Sequence, residues 1–144
     1  MLLARAGHRV LLVDRAEFPS DIMSTHYIHQ PGVARLKRWG LLDAVLATNC
    51  PPIERIRLDA GRFALESPPV PYEDTEIALC PRRVLLDKIL FDAAQRAGAE
   101  VRDAFTVEAL TWESGRVSGI RGRDLRGASE CHERAQIVIG ADGP

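Results

Sequence analysis

Asp14 closes the apolar run HRVLLVD (residues 8–14), and its residue type and place suggest chemistry. An acid at the carboxyl end of such a strand in a dinucleotide fold can accept hydrogen bonds from two neighbouring sugar hydroxyls at once. A second acid, Asp142, sits in the turn GADG (residues 140–143), directly after the apolar run QIVIG (residues 136–140). The flanking glycines let backbone approach a ligand closely, so Asp142 could accept from a polyol. Arg83 stands where a helix is predicted to open. A cation there opposes the helix dipole, and an anionic ligand such as a phosphate would relieve the conflict. Arg82, its neighbour, could take either role. Taken singly, each residue also has a plain reading: a solvated loop acid, a common Asp-Gly turn, a solvated arginine.

Other candidates are weaker. His26 and His29 in STHYIH would share a face only on a helix, the segment reads as a loop, and no carboxylate or cysteine stands nearby at ligand spacing. No metal site is expected there; Ser24 and Thr25 suit capping or turns. Cys131 and His132 are adjacent on a predicted strand and would face opposite ways. Trp39 and Trp112 read as packing residues. The three cysteines, Cys50, Cys80 and Cys131, form no C-x-x-C pair and are odd in number. That argues against a disulfide framework or a structural zinc and fits a reducing, cytoplasmic setting.

Charge narrows the function classes further. The chain carries 19 basic and 20 acidic side chains, a formal net charge of −1, with no electrostatic footprint for nucleic acid or an anionic membrane. No apolar run approaches the roughly 18 residues of a membrane span. The opening MLLARAGHRVLLVD is broken by Arg5, His8 and Arg9 and lacks a small-residue cleavage site, unlike a signal peptide.

The elements that must position these residues follow from periodicity. MLLARAG reads as the end of a helix with Gly7 as its stop. HRVLLVD reads as a strand buried on both faces, as in a parallel sheet. After a loop over residues 15–30, Pro31 opens a helix that Gly40 ends, with one more short turn over residues 41–46. IERIRLD (residues 53–59) alternates like a half-exposed strand and returns through Ala60-Gly61 as RFALES. The proline-rich stretch from 67 to 74 is expected to be irregular. A helix spans residues 82–97, with Leu86, Ile89, Leu90, Ala93 and Ala97 on one face and Gly98 as its stop. EVR, then FTVEALTW, GRVSGIRGR and ASECHERA, read as a short strand and a three-stranded antiparallel meander. QIVIG reads as a last buried strand. A meander inserted in a doubly wound sheet separates FAD-type dinucleotide domains from NAD-only ones, which would alternate strand and helix after residue 98. The usual G-x-G-x-x-G partner of the acid lies about 20 residues upstream of it. Counting back from Asp14 passes Met1, so the first strand and its phosphate loop are expected to be missing.

Taken together, HRVLLVDRAEFPSD, GVARLKRWGLLDAV, PRRVLLDKILFDAAQRAGAEVR, FTVEAL and QIVIGADGP resemble the FAD-dependent oxidoreductases. That superfamily holds the aromatic-ring hydroxylases, the geranylgeranyl reductase-like proteins and the flavin-dependent halogenases. The R-x-x-L-D-x-x-L pattern of Arg83, Leu86, Asp87 and Leu90 is similar to the geranylgeranyl reductase-like branch. The resemblance implies an α/β fold: a partial FAD-type, Rossmann-like dinucleotide-binding domain with an inserted β-meander and its first strand missing. It implies one truncated domain over residues 1–144, with part of the substrate-domain sheet around residues 53–79. Residue by residue, it implies that Asp14 binds the adenosine ribose and that Arg15 lies near the adenine. Arg83 would reach the FAD, the Val107 backbone would contact the adenine, and Asp142, beside Gly143, would bind the ribityl chain. The STHYIH stretch falls where relatives bring a loop toward the flavin; His26 is the candidate there, and no catalytic residue is carried over. The implied function is the FAD-binding portion of a flavin-dependent monooxygenase or geranylgeranyl reductase-like enzyme, inactive as a fragment. NAD(P)H is the implied electron donor, and the implied partners are a small-molecule substrate and the remainder of the same protein. The alternative is a non-catalytic remnant that no longer binds flavin tightly.

Overall fold

The structure, a computed structural model, describes residues 1–21, 27–127 and 129–141. The chain divides into two units, Met1–Phe18 with Ala93–Pro144, and Pro19–Asp92.

In the first unit, helix α1 (Leu2–Arg5) stops at Gly7, whose φ of +85° is open to glycine without strain. The amides of Gly7 and His8 donate to the carbonyls of Ala4 and Leu3, closing the helix end as expected. Strand β1 (Leu11–Val13) pairs in parallel with β4 (Glu100–Arg102), Leu11 opposite Glu100 and Val13 opposite Arg102. The expectation that β1 is buried on both faces is corrected: Leu12 is 38% exposed. Burial on both faces requires a layer on each. Among the described residues β1 has only β4 beside it in the sheet.

The meander forms as read. Strands β5 (Phe105–Glu113), β6 (Arg116–Asp124) and β7 (Glu130–Arg134) pair in that order, all antiparallel. Ser114 and Gly115, at φ +50° and +77°, make the tight turn between the first two; two left-handed residues match the twist of a hairpin. Two bulges interrupt the β5–β6 register, where Glu108 and Ser118 have no opposite residue. Phe105 is 2% exposed and lies over Gly122. A Cβ at Gly122 would stand 2.6 Å from the Phe105 ring and 2.4 Å from the Thr106 carbonyl oxygen, so only glycine fits there.

QIVIG does not form the expected buried strand. Residues 136–140 belong to no strand, and Ile137 and Ile139 are 78% and 67% exposed. An apolar run becomes a buried strand only when neighbours take up its backbone groups. After β7 the Ala135 amide still donates to Ser118, and no strand among the described residues pairs with the run beyond it.

In the second unit, α2 (Gln30–Arg38) carries Pro31 in its first turn, buries Val33, Ala34 and Leu36, and is followed by Gly40 at φ +73°. Helix α3 (Leu42–Leu46) buries Val45. Isolated bridges join Ile28 to Leu79 and Ile53 to Ala78, and both Ala78 and Leu79 are fully buried. The hairpin of β2 (Ile56–Asp59) and β3 (Ala64–Ser67) turns at Gly61, whose amide donates to Asp59 Oδ1. All its strand residues are exposed rather than alternating, because a two-stranded ribbon with no layer against it among the described residues has no buried face. The stretch after it is irregular, as expected, and is tied to the end of α2 by the ion pairs Lys37–Asp74 and Arg38–Glu73. Helix α4 (Arg83–Arg96) begins in this unit, and its residues from Ala93 on belong to the first. Leu86, Ala93 and Ala94 are buried, and Gly98 at φ +92° lies just past the helix end.

Candidate functional site

Asp14 follows β1 directly. Its backbone is held on both sides: its amide donates to the Arg102 carbonyl at 3.0 Å, and its carbonyl accepts from the Phe105 amide at 2.9 Å. Its side chain is exposed. Oδ1 accepts from the Ala16 amide at 2.8 Å, an Asx turn, while Oδ2 has no partner among the described residues. The result is an exposed carboxylate of fixed backbone, with one oxygen available, at the carboxyl end of a parallel strand. Arg15, beside it, is also exposed and makes no hydrogen bond or ion pair among the described residues.

The loop after Asp14 is stitched to the β4–β5 connection. The Ala104 amide donates to the Ala16 carbonyl at 2.9 Å. The Phe18 amide donates to Asp103 Oδ2 at 3.0 Å. The other oxygen of Asp103 pairs with Arg126 Nη2 at 2.8 Å, and the same Nη2 reaches Glu17 Oε1 at 3.1 Å. The hydrogen bond from the Phe18 amide holds the Asp103 carboxyl below the ordinary aspartate range; burial opposes it, and the Arg126 guanidinium adds to the lowering. Arg126 is correspondingly held charged by Asp103 and Glu17. Ala104 adopts φ +50°, a left-handed conformation unfavourable for a residue with a Cβ. Arg102 lies between Glu100 and Glu133, 2.6 Å from the latter, which joins the parallel pair to β7.

Val107 lies two residues beyond Phe105 on β5, opposite Gly122 and next to the Glu108 bulge, with its side chain half exposed. The first unit thus brings Asp14, Arg15 and the start of the Val107 strand together. Arg83 belongs to the second unit. Its guanidinium is gripped by Asp87 one turn along α4, with Nε 2.9 Å from both carboxylate oxygens and Nη2 2.7 Å from Oδ2. The anion expected to offset a cation at this helix end is therefore supplied by the chain itself. The pairing raises the Arg83 pKa further. Asp142, Gly143 and His26 lie outside the described residues. His29 precedes α2 as its N-cap and packs edge-on against Tyr27 with ring centroids 4.5 Å apart.

Sequence reasoning missed Asp103, Arg126 and the strained Ala104. Asp103 and Arg126 stand 23 positions apart, and no motif links them. The one local signal was Gly127, a turn-forming residue beside Arg126 between two strands of the meander.

A parallel strand pair with an acid at its carboxyl end, a helix ahead of its second strand and an antiparallel meander after it define a dinucleotide-binding fold of the FAD type. The chain belongs to the FAD binding domain family, which matches residues 1–144. No curated protein sequence matches it. Among solved structures, it is similar to the myxobacterial chondrochloren halogenase CndH, a variant of FAD-dependent halogenases. That match has 23% identity and a TM-score of 0.81 over 92% of this chain and 31% of that one. It is also similar to Pseudomonas aeruginosa PqsL in complex with 2-aminobenzoylacetate, with 21% identity and a TM-score of 0.76 over 99% and 38%. A third similar structure is a geranylgeranyl bacteriochlorophyll reductase-like protein from Thermoplasma acidophilum, with 22% identity and a TM-score of 0.75 over 97% and 34%. At these identities the likeness is one of fold. The chain spans about a third of the length of these structures.

Proposed function

We propose that this chain contributes the adenosine-binding part of the FAD site in a flavin-dependent oxidoreductase, either a monooxygenase or a geranylgeranyl reductase-like enzyme. The observation that carries the reading is Asp14: an exposed carboxylate of fixed backbone at the end of β1, with Oδ2 available to a ribose hydroxyl. Arg15 beside it and the Val107 backbone on β5 would flank the adenine. Arg83 would offer FAD the part of its guanidinium that Asp87 leaves unused. Asp142 with Gly143 would take the ribityl chain. FAD supplies the redox chemistry when bound; the residues here bind and orient it. NAD(P)H would be the electron donor of the whole protein, and a small molecule its substrate. Residues 53–79, with their uncovered hairpin, would join a substrate-domain sheet in a longer chain.

A cytoplasmic setting suits the three free cysteines. Among the described residues no helix is long and apolar enough to cross a membrane.

The test is to titrate FAD, ADP and FMN into the chain, following flavin fluorescence and, for ADP, calorimetry. Asp14→Ala should weaken FAD and ADP about tenfold or more, the loss of a hydrogen bond to a charged group, and leave FMN unchanged. Equal binding by wild type and variant would refute the role of Asp14. Absence of micromolar flavin binding by the wild type would favour the remnant reading.

A further inference from the structure

We propose that Asp103 and Arg126 are positioning residues for Asp14: they pin residues 15–18 across the β4–β5 connection and so fix the carboxylate that meets the adenosine end of a dinucleotide. The proposal rests on the reading of Asp14 given above.

An exposed aspartate at a strand end is free to rotate unless something restrains it. Here the restraint is the Ala16 amide on Oδ1, and its direction depends on the path of the loop. That path is set by polar anchors. The Ala16 carbonyl takes the Ala104 amide, and the Phe18 amide is taken by Asp103. Asp103 in turn is held by Arg126, which also grips Glu17. Asp103 is only 18% exposed and uses each oxygen for a different donor, so it ties two chain segments rather than one.

Ala104 adds an independent sign. It holds a left-handed backbone despite its Cβ, and both its peptide groups are in use: its amide on Ala16, its carbonyl accepting from Leu125. Strain of this kind persists where surrounding bonds over-determine it. Leu125 is the residue before Arg126, so the strained peptide and the ion pair hold the same two segments together. The loop they hold buries little apolar surface, since Arg15 and Glu17 are exposed and Ala16 and Phe18 only half-buried. With Glu17 engaged by Arg126, the exposed groups that the anchoring leaves available are Asp14 and Arg15.

The test uses the whole chain with two readouts: amide hydrogen exchange at Ala16 and Phe18, and affinity for ADP and for FMN. Asp103→Ala should speed exchange at Ala16 about tenfold, as expected for a lost hydrogen bond to a charged group, and leave the β1 ladder amides as they were. It should weaken ADP binding by a similar factor and leave FMN, which has no adenosine, unaffected. Asp103→Asn keeps an acceptor for Phe18 and should restore most of both, whereas Arg126→Ala should give an intermediate loss. Unchanged Ala16 exchange in Asp103→Ala overturns the proposal, and so does faster exchange with wild-type ADP affinity. A wild-type chain that takes up no ADP overturns the reading of Asp14 and the ligand part of the proposal with it; exchange at Ala16 tests the clamp separately.

Discussion

Gly122→Ala is the sharpest test of how the meander supports the site. The added Cβ would lie 2.4 Å from the Thr106 carbonyl oxygen, and 2.6 and 2.9 Å from Cε1 and Cζ of Phe105. The carbonyl is part of the β5 backbone and cannot swing aside. The ring is buried and cannot leave without opening a cavity. Overpacking of this kind costs about 1–3 kcal/mol. The backbone at Gly122 is outside the left-handed region, so alanine also removes unfolded-chain entropy, which stabilises by about 0.4–1 kcal/mol. The balance is a net loss on the order of 1–2 kcal/mol. With a urea slope of about 1–3 kcal/mol per molar, the midpoint should fall by roughly 1 M, read by circular dichroism. Gly140→Ala is the control: nothing lies within 4 Å of its Cβ, and its φ is not left-handed. It should stay within about 0.5 kcal/mol of wild type. A Gly122→Ala midpoint at or above wild type would refute the steric argument.

Four further outcomes follow from the same structure. Phe105→Ala removes a fully buried ring and should cost about 3–5 kcal/mol in denaturant unfolding. The Asp103 pKa is depressed by folding, so its contribution is intact at neutral pH and is lost as pH falls through its folded value; Asp103→Asn should flatten the acid limb of a stability-against-pH curve. Ile137→Lys with Ile139→Lys should reduce self-association in light scattering without changing the circular dichroism, because both side chains are exposed and outside any strand. Arg83→Gln breaks an i,i+4 pair worth about 0.2–0.5 kcal/mol, so a large fall in FAD affinity with little change in melting would report a ligand contact.

Local signals carried most of the fold. Gly7, Gly40 and Gly98 each fall just past a helix end at positive φ, as their places in the sequence implied. The meander was legible because apolar and polar residues alternate between short turns, and its strand ends match the reading closely. Two apolar runs misled for one reason. HRVLLVD and QIVIG have the composition of strands buried on both faces, but burial is supplied by neighbours, not by composition. Leu12 keeps one partner strand and is partly exposed; Ile137 and Ile139 have none among the described residues. Arg83 was legible as a helix-opening cation, but the anion that meets it is Asp87, which the resemblance had identified only as part of a pattern.

The meander also explains how β1 can present an acid at all. A three-residue parallel pair with a partly exposed centre supplies little packing of its own. The first residue of β5 compensates in two ways. The Phe105 amide holds the Asp14 carbonyl, and its ring is locked over Gly122 in the next strand. Between them, Ala104 turns left-handed so that its amide reaches Ala16 while its carbonyl faces the Leu125 amide. The end of β1 is therefore fixed by the meander more than by its own sheet. If so, damage to the Phe105–Gly122 contact should reach the Asp14 carboxylate even though neither residue touches it. Faster exchange at the Ala16 amide in Gly122→Ala, under conditions where the chain stays folded, is the expected sign; unchanged Ala16 exchange would mean that β1 and β4 hold Asp14 unaided.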